Sequence, residues 1–258
     1  MEQDEYRIRG LINNLSPRSA FRTGMLTGLG IVFLLGFFVL LGILFTKNDG
    51  VSAYNQEVKD NGNPLAVAPD SAGTGDINIK PVSAKNDWIK GDRNARISII
   101  EFSDSECPFC QRFHSTMQQI VAEYDGEVNW IYRHFPLVSL HSKASKEAEA
   151  TECAGEQGGN DAFWAYIDEL FAITPANNGL DLNQLPEIAG TIGLDVDQFQ
   201  TCLDSGKYAQ KIQNSISEAQ AAGARGTPYS VILAGDKKLV IPGALPLEQV
   251  KSMIDTIL

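Results

Sequence analysis

Histidine and cysteine are both scarce in this chain, with 3 and 4 residues out of 258. His114, His134 and His141 form no close pair, so the spacing of a zinc site is missing. Ordinary surface or loop roles are expected for all three, with His114 facing solvent one turn past Cys110. Basic charge is also short. Lys and Arg number 21 against 32 Asp and Glu, a formal net charge of -11, and beyond residue 46 the balance is 17 to 29. That excess argues against nucleic acid and anionic lipid headgroups as partners. No internal repeat is present.

Long apolar runs are missing too, with one exception. From Gly24 to Phe45 the sequence reads "GMLTGLGIVFLLGFFVLLGILF", 22 residues without a charge. A helix of that length crosses a hydrocarbon core of about 30 Å. Arg7, Arg9, Arg18 and Arg22 precede the run and only Lys47 follows closely. The positive-inside rule therefore predicts a cytoplasmic N-terminus over 1–23, a single-pass transmembrane helix over 24–45, and an extracytoplasmic remainder. The competing reading is a signal peptide cut near Val51-Ser52-Ala53, but signal cores usually run to only about 7–15 apolar residues. Outside the cytosol, disulfides persist.

Residues 46–85 are rich in Asn, Asp, Gly, Ser, Ala and Pro, without an apolar period, and read as a flexible linker of about 35 Å. Residues 86–258 carry an α/β pattern. The run "RISIIEF" (96–102) suits a strand buried on both faces. Phe113, Met117, Ile120, Val121 and Tyr124 recur at helical spacing until Asp125-Gly126. "VNWIYR" (128–133) is a second strand, which completes a βαβ unit. A helical stretch fills about 141–222, in which Pro186 predicts a late start or a kink. "YSVIL" and "KLVI" make a hairpin around Ala234-Gly235-Asp236, and Leu247, Val250, Ile254 and Ile257 line a last helix with Pro246 in its first turn.

Two of the four cysteines sit three positions apart in "DSECPFC" (104–110). A bridge between neighbours so close closes almost no loop, so it staples little. Zinc would need two further ligands, and Cys153 and Cys202 stand alone. A redox couple fits better. Cys107 lies where a strand gives way to a helix, and Pro108 is pre-set for the first helical position. Free N–H groups at that helix end favour a thiolate, making Cys107 the better nucleophile, with Cys110 deeper and able to resolve a mixed disulfide.

The stretch "IIEFSDSECPFC", the helical insert, and then "GARGTPYSVILAG" resemble the DsbA-like thiol-disulfide oxidoreductases of the thioredoxin superfamily, over residues 86–258. The resemblance implies a thioredoxin fold with an inserted helical subdomain, and Cys107 and Cys110 as catalytic pair. It implies that Glu101 is the buried acid beneath the disulfide, exchanging protons with Cys110; otherwise Glu101 is a strand-edge charge in water. It also makes Thr227-Pro228 the cis-proline loop that receives substrate. With the motif cysteines paired, Cys153 and Cys202 form a structural disulfide in the insert, or else remain separate buried thiols.

Many oxidants of that family have histidine where this chain has Phe109, and Asp104 and Glu106 should oppose a thiolate. The expected couple is therefore less oxidising than the strongest members, near about -120 mV. The expected activity is disulfide donation to exported proteins, with no cofactor or metal, and re-oxidation by a membrane quinone-linked partner. The alternatives are a disulfide isomerase or reductase, and a non-catalytic tethered binding or chaperone-like domain.

Overall fold

The computed structural model describes Phe37 and residues 77–258. The expected span at 24–45, apart from Phe37, and the linker as far as residue 76 lie outside the described residues. Among the described residues, no helix is long and apolar enough to cross a membrane.

Five strands form one sheet in the order β1-β3-β2-β4-β5. The central strand β2 (Ile97–Ser103) pairs parallel with β3 (Val128–His134) and antiparallel with β4 (Tyr229–Ala234). Helix α1 (Pro108–Glu123) makes the crossover between β2 and β3. Strand β5 (Lys237–Pro242) extends the hairpin and α6 (Leu247–Asp255) follows it. The first strand, β1 (Trp88–Lys90), pairs antiparallel with β3 and was not expected. Three residues are too few to show a period of two.

Alternation along β2 divides the core between the two faces of the sheet. Ile97 and Ile99 join Trp130, Tyr132 and Ile232 in packing with Phe113, Met117 and Ile120 of α1. Ile100 and Phe102 join Ile131 and Val231 in a second cluster. That second cluster holds a correction to the domain boundary. Ile77 is buried there, with Ile79 and Val82 against it, so residues 77–85 pack on the domain although their composition read as linker. Arg133 fixes this strap: its guanidinium bonds Asp87 at 2.9 Å, Glu218, and the carbonyls of Lys80 and Pro81. A guanidinium fork satisfied on several sides offsets the cost of burying its charge.

The insert contains α2 (Ala144–Ile173), α3 (Gln184–Thr191), α4 (Val196–Ser205) and α5 (Ala209–Ala221). Gly159 breaks the helical path of α2 with φ at +73°, a left-handed angle that glycine adopts without steric cost. At Gly155 the requirement is space, since a Cβ there would lie 2.5 Å from the Trp88 ring. Trp88 also stacks on Phe163 at 4.8 Å, so the short β1 seats the insert on the sheet. Pro186 falls in the first turn of α3, where its missing N–H costs nothing. Pro246 caps α6 instead of entering its first turn, and Ile257 lies past the helix end.

Candidate active site

The site begins at the C-terminal end of β2. Glu101 is wholly buried and pairs in register with Tyr132 on one side and Ser230 on the other. Burial pushes its pKa up to about 7, against smaller lowering contacts from Ser103 and Trp130. The water-facing alternative for Glu101 is thereby removed. A carboxyl that titrates near neutrality can take or release a proton during turnover.

Cys107 is the N-cap of α1 with Pro108 at the first helical position, and both motif cysteines are free thiols. Cys107 retains 4% exposure and Cys110 none. Their environments drive them apart. A hydrogen bond from Cys110, opposed by burial and aided by Thr227 and the backbone of Cys110 and Phe109, brings the Cys107 thiol down to about 6. Burial, then the neighbouring Cys107 and the charge of Glu101, push the Cys110 thiol well up. One thiol is thus ready as a thiolate while the other holds its proton beside Glu101.

Thr227-Pro228 is a cis peptide, and Cys107 Sγ lies 3.5 Å from the Thr227 carbonyl oxygen. The loop therefore meets the first cysteine of the motif across 120 residues of sequence. Phe109 stands outward at 55% exposure, with the Arg112 guanidinium 5.1 Å from its ring centre. Cys153 and Cys202 are joined in a disulfide between α2 and α4.

The acidic residues before Cys107 differ from expectation. Asp104 and Glu106 are buried, and neither is among the groups that set the Cys107 thiol. Asp104 accepts the Glu106 N–H at 2.9 Å and the Leu137 N–H at 2.7 Å, and lies 2.8 Å from His141 Nδ1. Glu106 accepts the Asn178 N–H. Both carboxylates are engaged by groups other than Cys107, Asp104 by two backbone N–H groups and His141, Glu106 by the Asn178 N–H.

The histidines are also corrected. All three are buried, and each meets a carboxylate: His114 with Asp168 at 2.7 Å, His134 with Glu152 at 3.2 Å, His141 with Asp104 at 2.8 Å. Burial keeps the His114 imidazole below its usual range despite Asp168. Among the described residues, no group of three His, Cys, Asp or Glu is placed to hold a metal ion. Partners as distant as 54 positions leave no local pattern that could have revealed these pairings.

A family model described as thioredoxin matches residues 83–256. The crystal structure of DsbA2 from Pseudomonas aeruginosa is 30% identical with a TM-score of 0.58, over 69% of this chain and 97% of that one. α-DsbA1 of Wolbachia pipientis is 27% identical with a TM-score of 0.59, over 68% of this chain and 92% of that one. The Na(+)/H(+) antiporter NhaA 3 of Salinispora tropica is 32% identical over 148 residues, which are 57% of this chain but 22% of the antiporter. This chain thus spans about a fifth of that relative's length. The match over 83–256, the free Cys107-Cys110 pair and the DsbA-like architecture place the chain in the thioredoxin family, as a DsbA-like thiol-disulfide oxidoreductase.

Proposed function

We propose that this enzyme introduces disulfides into exported proteins from an extracytoplasmic position, tethered by residues 24–45. A substrate thiolate attacks Cys107 Sγ, the Cys107–Cys110 bond breaks, and Cys110 leaves with the electron pair and takes a proton from Glu101. A second substrate thiolate then attacks the substrate sulfur of the mixed disulfide and releases Cys107 as a thiolate. The substrate is oxidised and the enzyme is left as the dithiol. A quinone-linked membrane protein restores the disulfide.

The observation that carries this direction is the place of Cys107 at the N-cap of α1 in contact with the buried Cys110, which lowers its thiol. A stabilised thiolate stabilises the dithiol form and makes the disulfide a better oxidant. With Phe109 where many oxidants of this kind have histidine, the potential should stay below the about -120 mV of the DsbA reference. Exposed Phe109, two residues on from the cysteine that meets Thr227, offers an apolar surface to an unfolded substrate.

The test uses Cys110→Ala, which cannot resolve a mixed disulfide, together with oxidation of a reduced dithiol peptide by the unaltered enzyme. Trapped exported proteins and peptide oxidation are the expected results. Reduction of insulin without peptide oxidation would shift the assignment to a reductase or isomerase. No trapped partner and no exchange would leave a binding domain. Alkaline extraction and protease accessibility of the full chain in its membrane check the tether: it should resist extraction and be cut from the extracytoplasmic side.

A further inference from the structure

The acidic balance of the chain reverses around the reacting thiol. Asp and Glu outnumber Lys and Arg by 32 to 21 overall, yet residues 107–115, 135–143 and 222–229 contain no Asp or Glu. These segments meet at Cys107. The Leu137 N–H bonds Asp104, in the turn that leads into the motif, and the Thr227 carbonyl oxygen lies 3.5 Å from Cys107 Sγ. The acids at this end of the sheet, Glu101, Asp104 and Glu106, are all buried, so a docked chain does not touch them.

Two arginines stand on these segments with their donors unused. Arg112 and Arg225 are exposed, and among the described residues neither makes a hydrogen bond or an ion pair. Arg93, Arg96 and Arg133 are each engaged, by the Ala84 carbonyl, by Glu127 and by the strap. Helical side chains lean toward the N-terminus of their helix, and the Arg112 guanidinium accordingly lies 5.1 Å from the ring centre of Phe109, two residues beyond Cys107. The ring face holds the cation without occupying its N–H fork. Arg225 comes two residues before Thr227, which keeps its backbone within about 7 Å of that of Thr227. A free guanidinium fork fits a carboxylate with two parallel hydrogen bonds.

We propose that Arg112 and Arg225 form a recognition site for acidic side chains flanking the reacting cysteine of a substrate chain. The site rests on the redox reading, because Cys107 fixes where that cysteine docks. A cysteine docked there has Phe109 and Arg112 on the α1 side and Thr227 and Arg225 on the loop side. Carboxylates on its flanks gain a fork each, whereas lysines in the same places meet two like charges. Neither arginine is among the groups that set the Cys107 thiol, so the preference acts on encounter and orientation and not on the sulfur chemistry.

The test uses the full chain in non-ionic detergent, in its disulfide form, with two reduced dithiol peptides that differ only in Glu or Lys beside the cysteines. Each rate constant is divided by that peptide's rate constant with hydroxyethyl disulfide, a neutral reagent, which removes the effect of the flanks on the peptide's own thiols. At about 10 mM ionic strength, where the Debye length is about 30 Å, the Glu peptide should react about tenfold faster than the Lys peptide. At about 1 M salt, where that length is about 3 Å, the ratio should fall below about twofold. Arg112→Gln/Arg225→Gln should bring the low-salt ratio below about twofold, and each single Gln variant should leave about threefold. Arg112→Lys/Arg225→Lys, which keeps both charges, should hold it above about fivefold.

Equal rates, a preference for the Lys peptide, or an undiminished ratio in the Gln variants overturns the site. Exchange with neither peptide would count against the redox reading alone. Fluorescence anisotropy of the same peptides with Ser in place of Cys then decides the site: the Glu peptide should bind the unaltered chain about tenfold more tightly at low salt, and equal binding overturns it.

Discussion

Two cysteine pairs occupy this domain, and their difference separates chemistry from architecture. Cys107 and Cys110 lie at the N-terminus of α1, on thiols pushed in opposite directions by a helix end, a buried acid and each other. Cys153 and Cys202 lie 49 positions apart in the insert, and the carboxylate that meets them, Glu156 Oε2 at 3.6 Å from Cys202 Sγ, is exposed and held below its usual range by Lys207, the reverse of the buried Glu101. Short spacing gives the first pair little value as a staple, and its unequal thiols make it reactive. Long spacing gives the second pair a large loop to close. The redox pair depends on electrostatics, the structural pair on chain entropy.

The sharpest way to break this comparison is to remove one member of each pair's function. Cys107→Ser should lower exchange with a dithiol peptide by at least about ten-thousandfold, since the attacked sulfur is gone. Retained exchange in that variant would transfer the chemistry to the other pair. Cys153→Ala/Cys202→Ala should instead cost about 4 kcal/mol in urea unfolding, as expected for closing a loop of 49 residues, and lower Tm by about 10 °C. Its exchange rate at low temperature should stay within about threefold of the unaltered enzyme. A large loss of exchange with little loss of stability would invert the assignment.

Smaller effects sharpen the electrostatic side. Glu101 has a folded pKa of about 7 against 4.5 for an ordinary glutamate. The folded protein therefore holds this proton more tightly, and the stability it contributes is full below pH 4.5 and is lost as pH rises through about 7. Glu101→Gln, uncharged throughout, should match the unaltered reduced protein near pH 4 and exceed it by about 3 kcal/mol at pH 8. Two parallel urea-unfolding curves across that range would remove Glu101 from the interior electrostatics. Smallest is Phe109→His, which adds a hydrogen-bond donor at an exposed place beside the thiolate. It should lower the Cys107 titration followed by thiolate absorbance and shift the exchange constant with glutathione by about tenfold toward a stronger oxidant.

Local patterns made much of the domain legible. The apolar run of β2, the 3.6-residue period of α1 and the hairpin at 229–242 follow from nearest neighbours in sequence, as does the place of Cys107 at a helix start. The family resemblance added Thr227-Pro228, and the two cysteines left over once the motif is paired, outside the cytosol, gave the insert disulfide. What stayed hidden depends on partners far apart in the chain. His114 needs Asp168 to be tolerable in the interior, Glu106 needs Asn177 and Asn178, and residues 77–85 need Arg133. A polar residue with a distant partner looks like a surface residue until the partner is placed beside it.

The strap at 77–85 also has a mechanical meaning. Its buried start, Ile77, packs with Ile100, Phe102, Ile131 and Val231, the sheet face turned away from α1, and Lys238 donates to its carbonyl at 2.7 Å. Tension carried along the chain from its N-terminal side would enter the domain through this seam and be borne by Arg133 and Lys238 before reaching β2. A pull on Ile77 would load the back of the sheet and leave the thiols at its tip unstrained.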